Sequence, residues 1–129
     1  MSIDKLEDMI GYDYQLWDYQ VSHSTLTIRA VLPKGGKHNV HLTFSDVYFI
    51  QAPSSWSDGD IRVASDDEFW RIARQLGWTD REIPLRKLFI LYSANTSKGR
   101  VYIMGKLAPI ENDVEPIYDV VTIQRSPNT

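Results

Sequence analysis

The chain contains no cysteine among its 129 residues. This excludes disulfide bonds, thiolate metal sites and a cysteine nucleophile. A domain of this length can bury a sufficient apolar core without disulfides or a structural metal. The N-terminal residues also lack a basic segment followed by an apolar stretch, which is the pattern of a secretory signal. Together these absences favour a cytoplasmic protein.

Long apolar runs and a strong charge of one sign are missing as well. No run approaches the roughly 18 residues of a membrane-spanning helix, so we expect no membrane partner. The net charge is only −3, from 14 Lys and Arg against 17 Asp and Glu. Nucleic-acid binding depends mainly on clustered Lys and Arg, so we expect no nucleic-acid partner. A slightly acidic chain is compatible with a basic protein partner, and the sequence leaves the oligomeric state open.

The sequence has none of the familiar catalytic spacings. It contains neither G-x-G-x-x-G nor G-x-x-x-x-G-K-[ST], and no serine lies in G-x-S-x-G or S-x-x-K. His38 and His41 with the nearby Asp46 resemble a metal set, but residues three apart on a strand point to opposite faces, so we expect the two imidazoles not to converge. We therefore predict no metal and no cofactor, and the sequence favours a protein that is not an enzyme.

The best-defined element that is present is one helix. Ser65 and Glu68 have the spacing of a capping box, and Gly77 suits the left-handed conformation that ends a helix. We predict a helix over residues 66–76 with one buried face. The apolar residues of that face are Phe69, Ile72, Ala73 and Leu76.

Most of the remaining chain alternates apolar and polar residues, as β-strands do. We predict about seven strands, at residues 14–21, 25–32, 40–44 continued as 47–52, 61–64, 87–93, 100–107 and 117–124. Consecutive hairpins with one sizeable helix indicate an α+β fold whose curved, mainly antiparallel sheet forms a half-barrel or a partly closed barrel. The main alternative is two packed sheets with the helix at the rim.

Three further expectations complete this fold. A short N-terminal helix ends at Gly11, and residues 111–113 separate the last two strands. The main helix covers the open end or the concave face of the sheet. Residues 1–125 form a single globular domain, and residues 126–129 form a loose C-terminal tail.

Two candidate interaction residues lie on predicted strands. The apolar positions change from even to odd numbers between Phe44 and Val47, which predicts a β-bulge at Ser45 and Asp46. A bulge can direct a side chain such as Asp46 to a site, although a simple bend in the sheet is the favoured interpretation. Trp17 and Tyr19 are expected on one face of the first strand and Tyr14 on the other, so some aromatic surface must lie away from the principal core unless both faces are covered.

The other candidates lie in the polar loop at residues 51–60. Trp56 has no apolar neighbour in sequence, and exposed tryptophans are enriched in interface hot spots. The alternative is that Trp56 folds back as a plug over the sheet. Asp58 and Asp60 are the acids of this loop, but they lack the spacing of an EF-hand and are typical of a turn.

These observations favour a non-catalytic protein-interaction module, such as a small acidic inhibitor or an immunity-type protein. Its candidate contact residues are Trp56, Asp58, Asp60, Trp17 and Asp46. One alternative is a small-ligand-binding protein with an aromatic pocket that includes Tyr12, Tyr14, Trp17 and Tyr19. A less favoured alternative is an enzyme that uses carboxylates at the rim of the sheet.

Overall fold

A computed structural model describes residues 4–32, 39–57, 59–86 and 89–114. Most of these residues form strands. The strands are β1 (Asp13–Gln20), β2 (Thr25–Val31), β3 (Asn39–Gln51), β4 (Ser55–Trp56), β5 (Arg62–Val63), β6 (Ile90–Thr96), β7 (Gly99–Leu107) and β8 (Glu111–Val114). Helix α1 spans Asp66–Gln75, and single 3-10 turns occupy Leu6–Asp8, Val21–His23 and Ile83–Arg86.

The strands form one antiparallel sheet in the order β4-β1-β2-β3-β7-β6-β5, and β8 pairs with β3. In a flat sheet, β4 and β5 would lie about 29 Å apart, since neighbouring strands are about 4.8 Å apart. The chain from Trp56 to Arg62 spans at most about 21 Å. The sheet is therefore curled without being closed, and the predicted α+β fold with a curved antiparallel sheet is confirmed.

Strands β6 and β7 are buried on both faces. Tyr92 and Ile103 belong to a core enclosed by the curl, whereas their neighbours Leu91 and Tyr102 pack with Phe69 of α1. Because successive residues of a strand point to opposite faces, α1 must lie on the outer face of the curled sheet. The expectation that the helix covers the concave face or the open end is wrong, because α1 packs on the face of β6 and β7 opposite to the enclosed core.

Helix α1 begins as the sequence predicts. Ser65 is its N-cap, and the reciprocal bonds between Ser65 and Glu68 complete the capping box. Gly77 follows with a φ of +88°. The helix is thus defined by local sequence at both ends.

The predicted bulge is present in β3, which runs through it as one continuous strand. Its register with β7 shifts between Ser45 and Phe49, and Asp46 has a φ of +49°. A Cβ atom at Gly105, on the facing strand, would lie 3.1 Å from the Ser45 carbonyl oxygen. The bulge therefore combines a left-handed Asp46 with close approach of β7.

The first and the last of the described elements differ from the expectations. The short N-terminal helix is only the 3-10 turn Leu6–Asp8, and the predicted separator at residues 111–113 belongs to β8. Pairing of β7 with β3 stops at Phe44, so β8 supplies the partner for the first residues of β3. Residues 111–113 are polar and were expected in a connection, but backbone pairing with β3 makes them part of a strand. The predicted strand at 117–124 and the tail at 126–129 lie outside the described residues.

Candidate functional site

Trp56 lies in the core. Its side chain is 3% exposed and stacks on the Tyr14 ring, with 5.3 Å between the ring centroids. The indole Nε1–H donates to the Gly59 carbonyl oxygen at 3.0 Å. Trp56 does not have the exposed ring that an interface hot spot requires, because pairing of β4 with β1 places it against Tyr14. It is the plug that the alternative interpretation described.

Trp17 is half-buried on β1. The pairing with β2 passes from Leu16 opposite Ile28 to Asp18 opposite Thr27, which makes Trp17 the extra residue of a bulge. The Arg29 guanidinium carbon lies 4.9 Å from the centroid of the Trp17 ring. A cation over the ring covers part of the aromatic surface that the sequence suggested as a contact face.

Asp46 is exposed at the bulge of β3. Its carboxylate lies 3.5 Å from the Lys106 ammonium group, which is also exposed. Exposed ion pairs of this kind contribute little to stability. The backbone conformation of Asp46 is thus its main structural feature.

Replacing Asp46 with valine is expected to lower the free energy of unfolding by about 1–2 kcal/mol, because a β-branched residue is strained at positive φ. Replacing it with glycine is expected to change that free energy by less than about 1 kcal/mol, since glycine adopts this conformation readily. Urea unfolding of both variants makes the comparison. Equal losses in the two variants would show that the carboxylate, rather than the backbone, stabilises the bulge.

Asp60 lies where the connection from β4 meets residues 4–12, which precede β1 and which we call the N-terminal segment. Its Oδ1 accepts a hydrogen bond from the Gly11 backbone N–H at 3.4 Å, and the side chain is exposed. The Tyr14 hydroxyl holds the same segment by donating to the Met9 carbonyl oxygen at 3.1 Å. Burial raises the pKa of Tyr14, so this donor stays protonated. Asp58 lies outside the described residues.

A groove of about 390 Å³ separates the N-terminal segment from β5. We call it the β5 groove, and its lining residues are Leu6, Glu7, Ile10, Asp60, Ile61, Arg62 and Val63. Ile10 is 76% exposed and Val63 is 59% exposed. A second depression of about 150 Å³ adjoins Val63 and includes Ile90, which is 40% exposed. Three exposed aliphatic side chains therefore follow this margin of the sheet.

The outer edge of β5 is the end of the sheet. β5 pairs with β6, and within the described ranges no strand pairs with its other edge. An edge strand presents backbone N–H and C=O groups that another chain can use. The β5 groove thus combines exposed aliphatic side chains with an open backbone edge.

Acidic side chains surround these aliphatic residues. Glu7 and Asp60 line the groove, and Asp66 lines the adjoining depression; all three are exposed. Arg62 is the basic residue of the lining, and its guanidinium group donates to Glu68 at 2.9 Å. The charge that the groove presents to a partner is therefore mainly negative.

Glu68 organises a network that sequence reasoning missed. Its carboxylate accepts from Arg62 and from Arg100, each at 2.9 Å, and from the Ser65 backbone N–H at 3.1 Å. Glu68 is buried, whereas both arginines are half-exposed. The hydrogen bonds from Arg62 are the largest cause that lowers the pKa of Glu68 to about 2. The capping box was readable from sequence, but the arginines reach Glu68 only through the tertiary fold.

The histidines considered for a metal site and the tyrosines expected at an aromatic pocket are further candidates from the sequence. His41 Nδ1 lies 4.0 Å from a carboxylate oxygen of Glu111, and burial lowers the pKa of His41. His38 lies outside the described residues. In the part of the chain that the structure covers, no three His, Asp or Glu side chains are grouped as a metal site. Tyr12 and Tyr14, expected at an aromatic pocket, belong to the core.

None of the described helices is both long enough and apolar enough to cross a membrane.

The structure thus separates the sequence-predicted candidates. Trp56 is in the core, Trp17 lies against Arg29, and Asp46 pairs with Lys106. Asp60 alone among the described candidates lines a groove that also has exposed apolar residues. Comparison with protein-family models, curated proteins and solved structures gave no match to this chain.

Proposed function

We propose that this protein is a non-catalytic protein-interaction module, of the small acidic inhibitor or immunity type, and that it binds its partner through the β5 groove. The observation that carries the proposal is the pair of exposed aliphatic side chains, Ile10 and Val63, on the two walls of a groove with acidic residues. Apolar contact surrounded by polar groups is the usual arrangement of a protein interface.

The acids of the groove support a basic partner. Glu7 and Asp60 are exposed beside the aliphatic residues, and Arg62 is already paired with Glu68. Complementary charge raises the association rate and disfavours partners of the wrong sign. The burial of Tyr12 and Tyr14 in the core also supports an interaction surface over an aromatic ligand pocket.

The test compares groove variants with a matched exposed residue elsewhere. Ile10→Ser and Val63→Ser are expected to weaken retention of the partner at least about tenfold each, which corresponds to about 1.4 kcal/mol. Val21→Ser is the control, since Val21 is 77% exposed in the turn between β1 and β2. Each purified form is immobilised, and stoichiometrically retained proteins from an extract of its own source are quantified by mass spectrometry.

Two results would contradict this proposal. One is that the unaltered protein retains no protein at a stoichiometric level. The other is that Val21→Ser reduces retention as much as the two groove variants do. Thermal unfolding of all four forms controls for misfolding, because exposed substitutions are expected to change stability by less than about 0.5 kcal/mol.

A further inference from the structure

We infer that the partner inserts an extended segment, with alternating apolar and basic side chains, which adds as a β-strand to the outer edge of β5. This inference rests on the proposed function and specifies how the β5 groove is occupied. Addition of a strand to an exposed sheet edge is a common mode of peptide recognition, in which backbone bonds give affinity and side-chain pockets give specificity.

The backbone of β5 has the required orientation. The Ala64 N–H donates to the Leu91 carbonyl oxygen of β6 at 2.8 Å. Backbone groups of successive strand residues point to opposite edges, so the N–H and C=O of Val63 point away from β6. The Val63 carbonyl oxygen accepts a long bond of 3.4 Å from Arg62 Nη1, and its second lone pair can accept from an incoming N–H.

The side chains around this edge define the chemistry of the inserted segment. Ile10 and Val63 offer aliphatic contact on opposite walls, so one set of alternating residues should be apolar. Glu7 and Asp60 offer carboxylates in the same groove, so the other set should carry Lys or Arg. β5 has only two residues, and side-chain contacts must therefore supply much of the affinity.

The charge of the groove argues against a second copy of this chain as the occupant. Pairing two β5 edges would bring Glu7 and Asp60 of each copy toward the same acids of the other. Like charges placed opposite each other on paired strands are destabilising. A basic segment from a different protein would instead be attracted electrostatically by Glu7 and Asp60.

The probe is a synthetic peptide, acetyl-Lys-Val-Lys-Val-Lys-Val-amide, titrated into the full ¹⁵N-labelled chain. We expect saturable NMR shifts at Val63 and slower hydrogen exchange of its amide. Glu7→Gln and Asp60→Asn are each expected to weaken binding at least about threefold, as loss of one charge contact predicts. Asp18→Asn is the control, because Asp18 is an exposed acid on β1, and it should bind as the unaltered protein does.

Two N-methylated peptides test the strand geometry. One is methylated at its valines and the other at its lysines, so each blocks one edge of the extended peptide. We expect one of them to bind and the other to fail. Binding by both, or by neither, would overturn strand addition, as would equal binding of the corresponding Glu-Val peptide.

Failure of this inference is distinguishable from failure of the proposed function. Absence of saturable shifts at Val63 would overturn binding of a basic strand. The capture experiment with Ile10→Ser and Val63→Ser tests separately whether the β5 groove binds a protein partner. Sedimentation at the NMR concentration completes the test. A dimer whose formation shifts Val63 without peptide would assign the edge to a second copy and overturn the inference.

Discussion

Replacing Trp56 with alanine is expected to lower the free energy of unfolding by about 3–5 kcal/mol. The indole is 3% exposed and stacks on Tyr14, so truncation would leave a large cavity near the gap between β4 and β5. It would also remove the donor to the buried Gly59 carbonyl oxygen. This effect is that of a core residue, and it opposes the small loss expected of an exposed hot spot.

Urea unfolding followed by far-ultraviolet circular dichroism measures this loss without relying on the altered tryptophan. Trp56→Phe is the matched control, because it keeps an aromatic ring on Tyr14 but removes the Nε1–H. It should cost about 1–2 kcal/mol, as expected for a buried acceptor left without its donor. A Trp56→Ala loss below about 1 kcal/mol would contradict the placement of this side chain in the core.

Replacing Glu68 with glutamine is expected to lower the free energy of unfolding by about 2–4 kcal/mol. Glutamine is similar in shape but cannot satisfy two guanidinium groups and the Ser65 backbone N–H at once. The half-exposed arginines remain solvated, which keeps the loss below that of a fully buried ion pair. Asp67→Asn is the control, since Asp67 is an exposed acid in the same helical turn and should cost less than about 1 kcal/mol.

The pH dependence separates this ion-pair network from simple packing. The pKa of Glu68 is lowered from about 4.5 to about 2 in the folded state, so its contribution is complete above pH 4.5. It is lost as the pH falls toward 2, because the folded protein must then take up the proton that the unfolded chain already carries. The stability difference between the unaltered protein and Glu68→Gln should therefore shrink between pH 5 and pH 2. A difference that stays constant over this range would assign the effect to packing.

Local sequence predicted those features that depend on neighbouring residues. Ser65 and Glu68 form the predicted capping box, and Asp46 lies at the predicted bulge. Contacts between residues that are distant in sequence could not be predicted from local patterns. Trp56 meets the Tyr14 ring through the pairing of β4 with β1, and Arg100 of β7 reaches Glu68 because α1 packs on the sheet.

The candidate site was partly predictable, because one of its residues stands out in the local sequence and the others do not. Asp60 stood out as an acid in a polar loop, and it lines the β5 groove. Ile10 and Val63 looked like ordinary apolar residues of a helix and a strand. Their exposure results from the short N-terminal turn and from the terminal position of β5, and a residue pattern does not encode either.

The short crossing from Trp56 to Arg62 also links the two margins of the sheet mechanically. A Cβ atom at Gly59 would lie 2.6 Å from the Asn95 carbonyl oxygen, so at this glycine the crossing packs closely against β6. The same glycine accepts the hydrogen bond from the Trp56 indole, which is anchored in the core. Displacement of the crossing at Gly59 would therefore disturb both its packing on β6 and its hydrogen bond to the Trp56 indole on β4.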